Sequence, residues 1–85
     1  MMFYIYILKS VKNGKYYIGA TNSIISRINY HNSGKVKSTK NSRPWTLMHI
    51  EKYDTLSEAR KRESQIKKWK SRSAIEKLLA LSSNG

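Results

Sequence analysis

The first twenty residues carry the apolar pattern of a β-hairpin. Apolar and aromatic side chains fill positions 4–8, the turn pair Asn13-Gly14 follows, and a second such segment covers positions 16–19. Two short apolar segments on either side of an Asn-Gly pair are typical of antiparallel strands joined by a tight turn. We therefore predict strands over residues 2–9 and 15–20.

The length of the turn decides which residues of this hairpin face each other. A two-residue loop at Asn13-Gly14 and a four-residue loop over 11–14 both put Tyr17 on the same face as Tyr6. The longer loop also places Gly19 directly opposite Tyr6. We favour it, because a glycine inside a strand packs poorly but leaves space for a neighbouring ring or a substrate backbone.

The remaining sequence alternates helical and strand patterns. Helical apolar spacing predicts a first helix over 23–32, with Ile24, Ile25 and Ile28 on its inner stripe, and residues 45–53 favour a third strand. The strand pattern places one set of side chains on each face. One face is expected to carry Trp45, Leu47, His49 and Glu51, and the other Thr46, Met48 and Ile50.

Two more helices are predicted after the third strand. Thr55 and Glu58 form a capping box before a helix that continues to Trp69, and a short last helix follows over 74–81. Residues 33–44 read as a loop, and 82–85 as a frayed tail. The elements together predict one α+β domain over 1–81, in which a three-stranded antiparallel sheet is flanked by about three helices.

A carboxylate interrupts the apolar stripe of the second helix. Positions 56, 59, 63 and 66 share one helical face, and position 63 is Glu63. An ionised carboxylate on a core-facing stripe costs free energy unless it is paired or bound to a ligand. The simpler alternative is an ion pair with Lys67, four residues later.

The charge distribution indicates a polyanionic partner. Seventeen Lys and Arg residues face five acids, which gives a net charge of +12, and all five acids lie beyond residue 50. A field of this sign favours nucleic acid, although a solvated basic surface without a partner is the alternative. Several cations are candidates for phosphate contacts: Lys15, Lys35, Lys37, Lys40, Arg43, Lys67 and Lys70.

Other features narrow the class of protein. The chain has no cysteine, which excludes disulfides and thiolate metal sites and suits the cytoplasm. Its apolar segments are too short for a membrane span, and its start lacks the pattern of a signal peptide. A +12 chain repels copies of itself, so we expect a monomer.

The hairpin and the first helix are expected to direct Tyr6, Tyr17, Arg27 and His31 toward one region. Together with Glu63, these side chains have the chemistry of phosphodiester hydrolysis. Such a reaction needs a base for the attacking water, a cation at the phosphate and assistance to the leaving oxygen. Tyr6 or Tyr17 could serve as base if positive charge lowered its pKa. Arg27 offers bidentate phosphate contacts, His31 could transfer protons, and Glu63 could hold one Mg²⁺ or Mn²⁺ ion.

These residues resemble the GIY-YIG nuclease domain. Tyr4-Ile5-Tyr6 matches its first motif and Tyr17-Ile18-Gly19 its second, while Arg27, His31 and Glu63 match its helix residues and its metal-binding glutamate. The resemblance covers about residues 3–81. A further set of residues is similar to the small standalone branch of the family: Thr39, Arg43-Pro44 and the segment 59–69.

The resemblance implies a metal-dependent endonuclease. It implies hydrolysis of nucleic-acid phosphodiester bonds, with DNA as the first candidate substrate. The reaction is expected to need one divalent ion and no small-molecule cofactor. The family includes an incision subunit of DNA repair. This chain differs in having Tyr4 for the first glycine and no obvious counterpart of a late asparagine, near Ser71 or Ser73. We expect low sequence specificity, since a lone domain this small has no separate base-reading module. The alternative is a nucleic-acid-binding module of the same fold with weak or no cleavage.

Overall fold

The computed structural model describes the backbone of residues 1–83 and the side chains of residues 1–81. It confirms the α+β prediction, with three antiparallel strands in the order β2-β1-β3 and helices on both faces of the sheet. None of the described helices has the length and apolarity that a membrane span requires. The elements are β1 (Phe3–Ser10), β2 (Tyr16–Thr21), α1 (Ile24–Asn32), a 3₁₀ turn (Lys40–Ser42), β3 (Trp45–Tyr53), α2 (Leu56–Trp69) and α3 (Arg72–Ser83).

The hairpin adopts the favoured register. Gly19 pairs with Tyr6 and Tyr17 pairs with Leu8. The Ser10 amide donates to the Lys15 carbonyl at 2.8 Å, which closes a four-residue loop over 11–14. Gly14 ends this loop with φ of +75°, a conformation that glycine adopts at little cost. The prediction of Gly19 opposite Tyr6 is therefore confirmed.

Each face of the sheet has its own apolar cluster. Helices α2 and α3 cover the face that carries Ile5, Ile7 and Ile18, against which Ala59, Ile66 and Ile75 pack. Helix α1 covers the opposite face, where Tyr6, Leu8 and Trp45 are buried against Tyr17, Ile24 and Ile28. Ile25 was predicted on the inner stripe of α1 but is exposed, because a helix turns about 100° per residue and its neighbour Ile24 faces the sheet. The α1 face holds most of the predicted site residues.

The predicted faces of β3 are wrong beyond its midpoint. Ile7 pairs with His49 but Leu8 pairs with Leu47, so Met48 is an extra residue in a β-bulge. A bulge shifts the alternation of side chains by one residue. His49 and Glu51 therefore face α2, while Trp45 and Leu47 face α1.

A charged network joins β3 to α2 on the face to which the bulge turns His49 and Glu51. The Glu51 carboxylate accepts from Arg62 at 2.8 and 3.2 Å, from His49 at 2.8 Å and from Tyr53 at 2.7 Å. Burial by itself raises the pKa of Glu51, but the hydrogen bonds from Arg62, His49 and Tyr53 lower it to about 2. The ion pair thus fixes α2 against the sheet one residue before Glu63.

The helix boundaries differ in detail from the predicted ones. The Thr55 side chain accepts from the Glu58 amide at 3.2 Å, as a capping residue should. Lys70, in the left-handed conformation, ends α2, and α3 then begins at Arg72 instead of 74. Ser82 and Ser83, which the sequence assigns to a frayed tail, belong to α3, and the rest of that tail (84–85) lies outside the described residues.

The basic loop after α1 is anchored to the sheet. The buried Ser10 hydroxyl donates to the Ser42 carbonyl at 2.6 Å, beside the hairpin turn. Asn32 and Trp45 exchange two hydrogen bonds, of 2.7 and 3.2 Å, that join the end of α1 to the start of β3. The segment between them is therefore held close to the α1 face.

Candidate active site

The predicted site is built around the hydroxyl of Tyr6. Tyr6 lies in the central strand, is 3% exposed, and contacts His31 of α1, with Oη 3.1 Å from Nε2. The other ring nitrogen of His31, Nδ1, lies 3.0 Å from the Thr39 hydroxyl. His31 and Thr39 are each 1% exposed, so the three side chains form a buried polar chain.

Gly19 gives the Tyr6 ring its position. A side chain at Gly19 would overlap both the hydroxyl and the ring of Tyr6. Glycine therefore lets the phenol lie across β2, which is an edge strand of the sheet. The Tyr6 hydroxyl consequently lies at this edge rather than in the middle of the face.

Tyr17 and His31 complete an aromatic group around Tyr6. The centroid of the Tyr17 ring lies 4.7 Å from that of His31 and 6.3 Å from that of Tyr6. The Trp45 ring, at 6.3 Å from Tyr17, borders the group on the β3 side, and its Nε1 donates to the Thr39 carbonyl at 2.9 Å. Trp45 is buried core rather than an exposed stacking surface. Tyr17 is only partly buried, so water can reach it.

Arg27 supplies the positive charge of the site. It is partly buried on α1, and its guanidinium lies 5.5 Å from the centre of the exposed Tyr30 ring. Burial and the charge of Arg27 lower the pKa of His31, which favours a neutral imidazole at physiological pH. Arg27 and His31 lie four residues apart on α1, so they face the same region.

Glu63 lies in the other helical layer, on α2, and its charge affects the same hydroxyl. Burial raises the pKa of Tyr6, Tyr17 and Glu63 raise it further, and Arg27 opposes them. Glu63 has the smallest of these effects, so its charge influences the phenol only weakly. Helix α2 packs on the opposite face from α1, so we place the common region of these groups at the β2 edge.

The Glu63 carboxylate already has one partner. Its Oε2 accepts from Lys67 Nζ at 2.7 Å, which is the ion pair considered as the simpler alternative. The Glu63 side chain is 15% exposed and that of Lys67 is 52% exposed. The sequence therefore identified the correct partner of Glu63 in its simpler alternative.

The donor chemistry of the site fits a hydrated magnesium or manganese ion. Among residues 1–81 no group of three or more His, Cys, Asp or Glu side chains could enclose a metal. Mg²⁺ often keeps several waters and takes only one or two protein carboxylates. Glu63 is one such carboxylate, and it lines a hollow open to solvent. The residues therefore fit an ion that binds mainly through water and substrate, and not a dedicated metal cage.

The predicted phosphate-binding cations fall into two separate groups. Lys15, Lys67 and Lys70 line one hollow of about 370 Å³ on the α2 side, where Arg72 joins them. Lys67 and Lys70 also border an adjoining hollow of about 450 Å³ that contains Glu63. Lys15, which belongs to the hairpin, thus lies with the α2 cations. The adjoining hollow is also lined by Arg60 and Lys68, which are not among the predicted phosphate-binding cations.

The second group of cations lies on the anchored loop after α1. Lys35, Lys37 and Lys40 are exposed. Arg43 is exposed too, but its Nε donates to the Lys40 carbonyl at 2.8 Å and its guanidinium lies against Gly34. The loop cations thus belong to the α1 side and the lysines of α2 to the opposite side.

Comparisons with known proteins identify the family of this chain. The sequence profile of the GIY-YIG catalytic domain matches residues 2–77. The chain belongs to the GIY-YIG family. This membership implies nuclease chemistry and a nucleic-acid substrate, and members of the family generally use divalent metals.

The individual relatives are small proteins of similar length. A UPF0213 protein of Syntrophus aciditrophicus is 45% identical over 83 residues, which are 95% of this chain and 91% of that protein. A UPF0213 protein of Staphylococcus saprophyticus is 49% identical over 65 residues, 75% of this chain and 78% of that protein. The solution structure of a UPF0213 protein from Bacillus halodurans has a TM-score of 0.60 at 35% identity, covering 95% of this chain and 85% of the other. The GIY-YIG domain of this chain therefore resembles these small UPF0213 proteins over most of their length.

Proposed function

We propose that this GIY-YIG domain is a metal-dependent endonuclease that hydrolyses phosphodiester bonds, with DNA as the first candidate substrate and with low sequence specificity. Glu63 would hold one Mg²⁺ or Mn²⁺ ion. We also propose that the protein acts in the cytoplasm as a monomer and uses no small-molecule cofactor. Its biological context, DNA repair included, is an expectation from the family alone.

The observation that carries the proposal is the convergence on the Tyr6 hydroxyl. His31 contacts it at 3.1 Å, and Tyr17, Arg27 and Glu63 all affect its pKa. Tyr6, Tyr17 and His31, from β1, β2 and α1, therefore lie together, and the charges of Arg27 and Glu63 act on this group. A structural role for each residue separately does not require them to meet.

Each side chain has a role that follows from its surroundings. Arg27 binds the oxygens of the cleaved phosphate, because a guanidinium is always charged and offers paired donors. Tyr6 keeps its proton, since burial raises its pKa, and can donate a hydrogen bond to the phosphate. The role of base toward the attacking water then falls to Tyr17, which is partly exposed and would act so only beside the positive charge of Arg27 and the bound ion. Neutral His31 holds the Tyr6 hydroxyl in place.

Glu63 and the basic surfaces complete the proposed mechanism. A bound divalent ion would supply positive charge for the developing charge on the phosphate. Glu63 is the residue that would hold the ion, with water and substrate providing the other ligands. The cations of the two hollows beside α2 would bind the phosphates on either side of the cleaved bond.

A nicking assay with matched variants tests the proposal. Supercoiled, branched and single-stranded DNA are incubated with the protein in Mg²⁺ or Mn²⁺, with Arg27→Ala and Glu63→Gln in parallel. We expect metal-dependent nicking that each variant lowers about 10² to 10³-fold, the usual cost of removing one group that stabilises the transition state. Glu76→Gln is the matched control, because Glu76 also pairs with a cation four residues away, Arg72, but on an exposed surface.

The assay also separates the proposal from its alternative. Binding at low salt should persist in both variants, and circular dichroism should confirm that each is folded. If the wild type binds all substrates with a steep salt dependence and leaves them intact, the chain is a nucleic-acid-binding module instead. RNA substrates in the same assay decide between DNA and RNA.

A further inference from the structure

The buried contact between His31 and Thr39 determines where the histidine carries its proton. Both ring nitrogens have a partner, Nε2 at 3.1 Å from Tyr6 Oη and Nδ1 at 3.0 Å from Thr39 Oγ1. A neutral imidazole has one N–H donor and one acceptor nitrogen. The direction in which the Thr39 hydroxyl points therefore decides which of the two nitrogens is protonated.

The Thr39 hydroxyl has two acceptors within reach and one proton to donate. One is His31 Nδ1 at 3.0 Å, and the other is the Val36 carbonyl at 3.5 Å. The Val36 carbonyl already accepts the amides of Thr39 and Lys40, at 3.1 and 3.0 Å. A carbonyl oxygen has two lone pairs, so a third and longer contact is the weaker one. The hydroxyl proton accordingly belongs on the His31 side.

The Thr39 backbone is fixed from both ends. Its amide donates to Val36, and its carbonyl accepts from the indole of Trp45 at 2.9 Å. Both Thr39 and Trp45 are buried, so water does not compete for these bonds. The hydroxyl therefore has a fixed position relative to the imidazole.

We propose that Thr39 is a positioning residue that donates to His31 Nδ1 and holds His31 as the Nε2–H tautomer, which donates to the Tyr6 oxygen. The consequence of this tautomer for catalysis rests on the proposed function. With its oxygen accepting from His31, Tyr6 directs its own proton away from the histidine and toward the substrate side. His31 in this state cannot take a proton from Tyr6 or from water, so it orients Tyr6 and is not itself the base.

Nitrogen NMR of the histidine rings tests the tautomer without any substrate. The chain has two histidines, and His49→Gln assigns the two ring systems. We expect wild-type His31 to show an unprotonated Nδ1 and a protonated Nε2. A protonated Nδ1 in the wild type would overturn the proposal, whatever the nicking assay gives.

Two substitutions of Thr39 test its part in this arrangement. Thr39→Val keeps the shape and removes the hydroxyl, so the fraction of Nε2–H tautomer should fall, while Thr39→Ser keeps the hydroxyl and should restore it. Nicking should fall about tenfold in Thr39→Val at unchanged DNA binding and recover in Thr39→Ser. An unchanged His31 tautomer in Thr39→Val refutes the role of Thr39. If the tautomers are as expected but neither the wild type nor any variant nicks DNA, the proposed function is refuted and the proposal on the His31 tautomer stands.

Discussion

The ion pair between Glu51 and Arg62 should contribute more to stability than any exposed pair of this protein. The tested change is Glu51→Gln, which keeps the shape of the side chain and removes its charge. The pKa of Glu51 falls from 4.5 to about 2 in the folded state. One pKa unit corresponds to about 1.4 kcal/mol, so the folded environment favours the carboxylate by about 3 kcal/mol.

A second argument gives a similar magnitude. Removing one partner of a fully buried ion pair costs about 3 to 5 kcal/mol, because the other charge stays buried without compensation. The side chains of Glu51 and Arg62 are 21% and 23% exposed, so the lower end applies. We expect a loss of about 2 to 3 kcal/mol, which in a domain of this size lowers Tm by about 10 to 20 °C.

Thermal and urea unfolding of Glu51→Gln and Glu76→Gln form the assay. Glu76 pairs with Arg72, but the two side chains are 50% and 54% exposed, and such a pair contributes about 0.2 to 1 kcal/mol at most. If the two variants unfold within about 0.5 kcal/mol of each other, the reasoning from burial and hydrogen bonding is wrong.

The pH dependence provides an independent check on Glu51. Its folded pKa lies below the ordinary value, so its contribution is complete above about pH 4.5 and is lost as the pH falls toward 2. The wild type should therefore lose stability over this range more steeply than Glu51→Gln. Parallel curves for the two proteins would contradict the assignment of this pKa to Glu51.

Two further predictions concern Tyr6. Gly19→Ala places a methyl group against the Tyr6 ring and should lower the free energy of unfolding in urea by about 1 to 3 kcal/mol. This loss should vanish when Tyr6 is also replaced by alanine. A loss that persists in the double variant would show that it does not arise from the contact with Tyr6. The folded pKa of Tyr6 is raised, so its contribution to stability is complete below its ordinary value of 10 and declines as the pH rises beyond it. The stability difference between wild type and Tyr6→Phe should therefore shrink above about pH 10, and a constant difference would contradict the raised pKa.

The sequence predicts those parts of the fold that depend on neighbouring residues. The register of the hairpin followed from the turn at Asn13-Gly14 and from a mid-strand glycine that has little packing value. The start of α2 followed from Thr55, whose side chain can cap only the helix that comes directly after it. Such features depend on a few neighbouring residues, so they can be predicted from the sequence alone.

Features that depend on distant partners could not be predicted in this way. The bulge at Met48 arises where β3 pairs with β1, and the alternation of β3 alone gives no sign of it. The bulge turns Glu51 toward α2, so the partner of Arg62 was not foreseen either. Thr39 is eight residues from His31 in a polar loop, and only the resemblance to a family singled it out.

The ion pair between Glu63 and Lys67 does not argue against a metal at Glu63. Lys67 is half exposed, so solvent weakens this pair relative to the Glu51–Arg62 pair, in which both side chains are largely buried. Lys67 also borders both cationic hollows, where a phosphate would attract it. A substrate that brings phosphate to Lys67 while a divalent ion occupies Glu63 replaces one weak pair by two stronger ones. The free energy lost in separating the pair is small beside either gain, so the pair is compatible with a resting state that substrate and ion together would open.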